Sequence, residues 1–197
     1  DSSVLRSSAH RELALRAAHE SIVMVKNNGV LPLKSCRIAL TGPNAANAMN
    51  QLGDYTAFQR PGAISTVLDA LKAEPDCEVR FEPGCRIRSM DRSGFAAAVA
   101  AAEKSDCCIA VLGGSSWHDA EETVDPVTGA VIGASGDTAE HTEKESGEGT
   151  DRASLNLCGV QLELLRRLKK TGKPLIAVLI EGRPLQADEV LELADAV

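Results

Sequence analysis

At 197 residues the chain is long enough for one well-packed domain and short for two. Its 44% hydrophobic and 25% charged residues fit a folded globular protein and exclude the disordered and fibrous classes. A net charge of −7 without a basic stripe argues against nucleic acid or anionic membrane as partners, and no apolar run approaches the roughly 18–20 residues that span a bilayer.

The charge is unevenly spread. Residues 114–150 hold nine carboxylates against one base, Lys144, a local charge of −8 that leaves +1 for the rest of the chain. The start, Asp1-Ser2-Ser3-Val4, has neither the charged end nor the apolar core of a signal peptide, and no Met. The chain therefore reads as cytoplasmic and as a piece of something longer. Six cysteines form no disulfide framework: Cys107 and Cys108 are adjacent and no C-x-x-C occurs, so they read as reduced, mostly buried thiols. The same absence of paired ligands argues against zinc.

In chain order, residues 9–27 read as a helix, with Leu15, Ala18, Ile22 and Val25 on one face and Asn27-Asn28-Gly29 as its cap. Residues 37–41 read as a strand stopped by Gly42-Pro43, 64–73 as a helix, 77–81 as a strand and 93–104 as an Ala-rich helix. Residues 106–112 read as a buried strand ending at Gly113-Gly114. Residues 160–170 form a helix with Leu162, Leu165 and Leu168 inward and Gly172 as cap. An apolar strand at 175–180 ends at Glu181-Gly182, and a last helix starts near Ala187. Short apolar strands separated by helices give a doubly wound, mostly parallel α/β sandwich of flavodoxin-like type, its sheet covered on both faces. The final helix wants a following strand, so the sheet reads as incomplete. Ligands of such sheets sit at the carboxyl ends of the strands. Both long connections, 42–62 and 114–150, leave from that edge, which favours function.

Nucleotide binding has little support, since neither G-x-x-x-x-G-K-[ST] nor G-x-G-x-x-G is present and the acidic stretch repels phosphate. A Ser-His-Asp triad lacks its G-x-S-x-G elbow. His10 and His19 read as surface or packing residues, and His118 and His141 match no metal spacing. No metal or cofactor is expected. The informative stretch is residues 143–157, where Glu148 sits between Gly147 and Gly149. Flanking glycines permit unusual dihedrals and close approach by another molecule. A carboxyl so presented suits general acid/base work, its pKa raised if Glu143 and Glu145 lie near. A solvated acidic loop without a role remains the alternative. Asp151-Arg152 reads as an ion pair anchoring the loop.

These residues resemble the second, α/β-sandwich domain of glycoside hydrolase family 3, which includes β-glucosidases and β-xylosidases. The resemblance runs through His10–Leu33 with its K-N-N-G-V-L-P-L ending, Arg37–Ala45, Gly53–Tyr55, Ala110–Gly114, Ser146–Arg152 and Gly172–Leu185, in family order. It implies a domain at 36–197 preceded by a linker and opening helix at 1–35. It implies a retaining mechanism in which Glu148, with Glu145 as second choice, is the acid/base. The nucleophilic Asp would lie on an N-terminal (β/α)8 barrel, so the isolated chain is expected to be inactive. The expected substrate is a β-linked oligosaccharide or aryl glycoside, with terminal β-glucosyl residues the first reading. Trp117 and Tyr55, in the two long loops, are candidate sugar contacts, and a homodimer is left open. The competing class is a non-catalytic carbohydrate- or partner-binding domain, which the 3% aromatic content disfavours.

Overall fold

The computed structural model describes residues 4, 6–34, 36–56, 59, 62–117, 123–124, 131–132, 143–147 and 150–197. Strands β1 (Cys36–Thr41), β2 (Cys77–Glu82), β3 (Cys107–Gly113) and β6 (Leu175–Ile180) form one parallel sheet in the order β2-β1-β3-β6. The two-residue strands β4 (Thr123–Val124) and β5 (Val131–Ile132) pair antiparallel with each other, apart from this sheet. Helices α2 (Val67–Ala73), α3 (Phe95–Glu103) and α4 (Gln161–Lys169) are the crossovers, and α5 (Asp188–Leu193) follows β6. This is the doubly wound sheet expected from the apolar strand runs, with its switch point between β1 and β3.

Both faces of the sheet are covered. On one face Ala39, Cys108, Ala110, Leu112, Leu175 and Ala177 pack under α3, α4 and α5. On the other, Ile38, Leu40, Ile109, Val111 and Ile176 pack under α2 and the Val30–Leu31 and Leu33 side chains. Helix α4 buries Leu164, Leu165 and Leu168, so Leu164 takes the inward place expected of Leu162, which is only partly buried. The start of α2 falls at Val67 rather than near 64 because Thr66 and Asp69 form a capping box, each side chain accepting from the other's backbone N–H.

The opening helix departs most from expectation. Helix α1 (Ser8–Ser21) stops before Ile22, buries no residue and leaves Leu13 and Leu15 exposed. His10 and His19 are exposed on it. Beyond it the chain is extended because its backbone bonds leave the helix for the carboxyl terminus. Val25 N and Lys26 N both donate to Val197 O, Val197 N donates to Lys26 O, and Asn28 N donates to Asp195 O. Lys26 Nζ donates to the Leu191 and Ala194 carbonyls at 2.6 and 2.7 Å. Asn27-Asn28-Gly29 is thus a turn, with Gly29 N donating to Asn27 Oδ1, and not a helix cap.

Gly42 has φ +101°, and a Cβ there would lie 2.1 Å from Val111 O on the neighbouring strand. Gly172 has φ +71° with open space around it. Gly42→Ala should destabilise the fold by about 3–5 kcal/mol, from left-handed strain and overpacking together. Gly172→Ala should cost only the roughly 1–2 kcal/mol of left-handed strain. Urea unfolding of both variants checks the contrast.

Candidate active site

The carboxyl edge of the sheet is assembled by backbone contact. Gly113, at φ +128°, closes against β6 so tightly that a Cβ would meet Ile180 O at 2.0 Å. Gln161, fully buried at the start of α4, clamps this point. Its Oε1 accepts from Gly113 N at 3.0 Å, and its Nε2 donates to the carbonyls of Gly113, Ile87 and Cys158. From the first long connection, buried Asn44 donates through Nδ2 to Gly114 O at 3.1 Å, and Asn50 Nδ2 donates to Asn44 Oδ1 at 2.9 Å. The two loops are thereby tied together over the switch point.

Residues 143–147 lie on this edge, with Glu145 N donating to Ser115 O at 2.9 Å. Glu145 is 6% exposed, and its side chain lies so close to Gly114 that a Cβ there would meet its Oε1 at 2.0 Å. It forms a buried ion pair with Arg152 and accepts from Ser146 Oγ at 3.2 Å. Arg152 also donates to the Ser154 and Asn156 carbonyls. Beside it, Lys144 Nζ lies 3.5 Å from Asp54 Oδ1, with both side chains under 10% exposed. Gly147, at φ +121°, packs on this pair, since a Cβ would sit 2.7 Å from Asp54 Oδ2. Glu143 pairs with Arg86 at 2.8 Å and accepts from Ile87 N. Glu143 and Glu145 therefore each face an arginine.

Thr150 N donates to Gly147 O at 3.1 Å, in an antiparallel bridge. Glu148, the first-choice acid/base, and Gly149 fall between these two and lie outside the described residues. His118 and His141 lie outside them as well. A groove of about 320 Å³ opens alongside, lined by Arg88, Glu145, Thr150, Asp151, Arg152 and Ser154 among others. Asp151 and Arg152 are not ion-paired with each other as expected. Asp151 pairs with Arg183 at 3.4 Å, while Arg152 turns inward to Glu145. The hydrogen bond from Arg152 N, then the Arg183 charge, hold the Asp151 carboxyl below its usual range.

Trp117 is half-buried on the same edge, its N donating to Ser115 Oγ at 3.1 Å. Tyr55 is 83% exposed and adjoins Asp54. Among the described residues no group of three or more His, Cys, Asp or Glu is arranged to hold a metal ion.

Sequence reasoning gave no site role to three members of this edge. Asp54 was overlooked beside Tyr55, and Lys144 was counted only as the lone base of an acidic stretch. Glu181, at the end of β6, accepts from Leu185 N at 3.1 Å through Oε2, while its Oε1 is buried without a hydrogen-bond partner among the described residues. Burial, opposed by that hydrogen bond and by Arg152, pushes its pKa up. Its place at a strand's carboxyl end was the available signal.

Residues 22–197 match the family described as glycosyl hydrolase family 3 C-terminal domain. A β-xylosidase of Formosa agariphila is 37% identical over 193 residues, covering 93% of this chain and 23% of that protein. A β-glucosidase structure from Erythrobacter marinus superposes with a TM-score of 0.71 at 31% identity, covering 97% of this chain and 26% of its own. A β-glucosidase from Listeria innocua gives a TM-score of 0.74 at 24% identity, over 98% of this chain and 23% of its own, a likeness of fold. The chain thus spans about a quarter of the length of the relatives it matches.

Removing one partner from a buried ion pair leaves the other charge uncompensated, so Glu145→Ala should destabilise the chain by about 3–5 kcal/mol in denaturant unfolding. Glu181 binds its proton more tightly folded than unfolded, so its ionisation withdraws stability as pH rises past the ordinary 4.5. Glu181→Gln, which mimics the protonated form, should raise Tm near pH 7 and leave it unchanged well below pH 4.5. An equal shift at both pH values would trace to packing instead.

Proposed function

Because the chain belongs to the C-terminal domain of glycosyl hydrolase family 3, we propose that it supplies the general acid/base of a retaining β-glycosidase. The nucleophilic Asp would come from an N-terminal (β/α)8 barrel domain. Glu148 is the residue assigned this role. The observation that carries the reading is the Gly147–Thr150 bridge beside the groove, pinned to the carboxyl edge by two buried ion pairs. The ion pairs and the bridge fix the two residues, Gly147 and Thr150, between which Glu148 lies in the chain.

In the first step Glu148 protonates the glycosidic oxygen as the sugar–Asp ester forms. In the second it removes a proton from the water that hydrolyses the ester. The two carboxyls would then stand about 5–5.5 Å apart. Glu145, with one oxygen on Arg152 and the other on Ser146, serves in this reading as the anchor of the loop. Glu181 is the second reading for the proton donor, favoured by its raised pKa and its unpartnered oxygen. Trp117 and Tyr55 would contact the sugar.

Terminal β-glucosyl and β-xylosyl residues are the two substrates proposed. The 37% identical β-xylosidase favours xylosyl, and the 31% identical β-glucosidase structure favours glucosyl. The exposed run Ile22, Val23, Met24 and Val25, with Leu13 and Leu15 on α1, is the apolar surface proposed to meet the barrel. The relatives' fourfold greater length supplies room for such a domain.

Assays on aryl β-xylosides and β-glucosides should show turnover by a barrel-containing protein and none by this chain alone. In the barrel-containing protein, Glu148→Ala should slow substrates with poor leaving groups by about 10²–10⁴-fold and good ones far less. Azide should restore that variant. Rescue at Glu145→Ala or Glu181→Ala, and not at Glu148→Ala, would move the assignment.

A further inference from the structure

Three of the six cysteines gather at the amino edge of the sheet, opposite the candidate active site. Cys36, Cys77 and Cys107 begin β1, β2 and β3 and share one apolar layer. Cys36 and Cys77 are directly in register across β1 and β2, while Cys107 faces Ile38, one same-face position beyond Cys36. In-register residues of neighbouring parallel strands point to the same side. Strands stand about 4.7–4.9 Å apart, inside the roughly 4.4–6.8 Å that a disulfide spans between Cα atoms. Cys36 and Cys77 are half-buried, so a small oxidant reaches them, whereas Cys107 is only 4% exposed. The remaining thiols are placed differently: Cys85 and Cys108 are buried in the opposite core layer, and Cys158 lies against Arg152.

We infer that Cys36 and Cys77 form an oxidant-sensitive thiol pair that closes to a disulfide when the protein meets a hydroperoxide. The Cys36 sulfur attacks one peroxide oxygen, so an S–O bond forms as the O–O bond breaks, and the released hydroxide leaves as water with the thiol's proton. The Cys77 sulfur then attacks the Cys36 sulfenic acid. The S–S bond forms as the S–O bond breaks, and a second water leaves. Two thiols lose two electrons in all, and one peroxide is reduced to two waters. Burial, then Cys36, Glu74 and Asp76, keep the Cys77 thiol protonated more firmly than usual, so it is not the sulfur that meets the peroxide first. Cys107 is buried, which pushes its thiol up to about 12, so this third thiol stays inert. The link would close a loop holding all of residues 37–76, including the connection that carries Asn44, Asn50 and Asp54.

The test is peptide mapping of this 197-residue chain. It is treated with hydrogen peroxide, alkylated and digested with trypsin without reduction. The expected product is peptide 35–37 joined to peptide 73–80, two hydrogens lighter than the pair. Reductant should remove it, and the oxidised chain should melt roughly 5–10 °C higher than the reduced one. Cys36→Ser and Cys77→Ser should each abolish the link, and Cys158→Ser should leave it. Joining of 35–37 to 105–144 instead, or sulfinic acid at Cys36 without any link, overturns the proposal. So does a link that forms only in denaturant.

Discussion

Two glycines hold the strand ends of this domain closer together than any other residue permits. Gly42 presses on the Val111 carbonyl and Gly113 on that of Ile180, each with positive φ and no room for a Cβ. The first contact lies at the switch point itself, between β1 and β3, and the second lies in the next gap, between β3 and β6. Because backbone meets backbone there, the two long connections leave the sheet side by side. Asn44 can then reach the Gly114 carbonyl, and the 143–147 segment can lie along Ser115. A side chain at either glycine would wedge the strand ends apart and dissolve that arrangement.

On this base sit two buried ion pairs, Glu145–Arg152 and Asp54–Lys144. Buried pairs contribute little net stability against a well-packed apolar alternative, because desolvation offsets the attraction. What they contribute is direction. A salt-bridged carboxylate among fixed donors accepts few geometries, so the segment leading to Glu148 has one path over the edge. Residues 143–145 are thus tethered near the groove by three ion pairs, to Arg86, Asp54 and Arg152.

The architecture was legible because strands buried on both faces must be apolar throughout, a pattern visible within six or seven residues of one another. Helix bounds were legible to within a few residues, and the capping box at Thr66 and Asp69 explains one shift. The opening helix was misjudged at its end. Ile22 and Val25 fit a helical stripe, and nothing local reveals that Val197 draws that stretch into extended pairing. The carboxyl edge was legible because Gly42-Pro43 and Gly113-Gly114 mark the strand ends from which the long connections leave. It was illegible where partners are remote. Asp54 and Lys144 stand 90 residues apart in the chain, and only the fold makes them neighbours. The adjacent residues Asp151 and Arg152 looked like a pair, yet each finds a different partner because their side chains leave the backbone in different directions.

The pairing of residues 25–28 with residues 195–197 has a mechanical consequence. Four backbone hydrogen bonds and the Lys26 ammonium join residues 25–28 to residues 191–197. Tension applied between these two segments would load these bonds directly, like a clasp. The domain can therefore yield at this seam when the two segments are pulled apart.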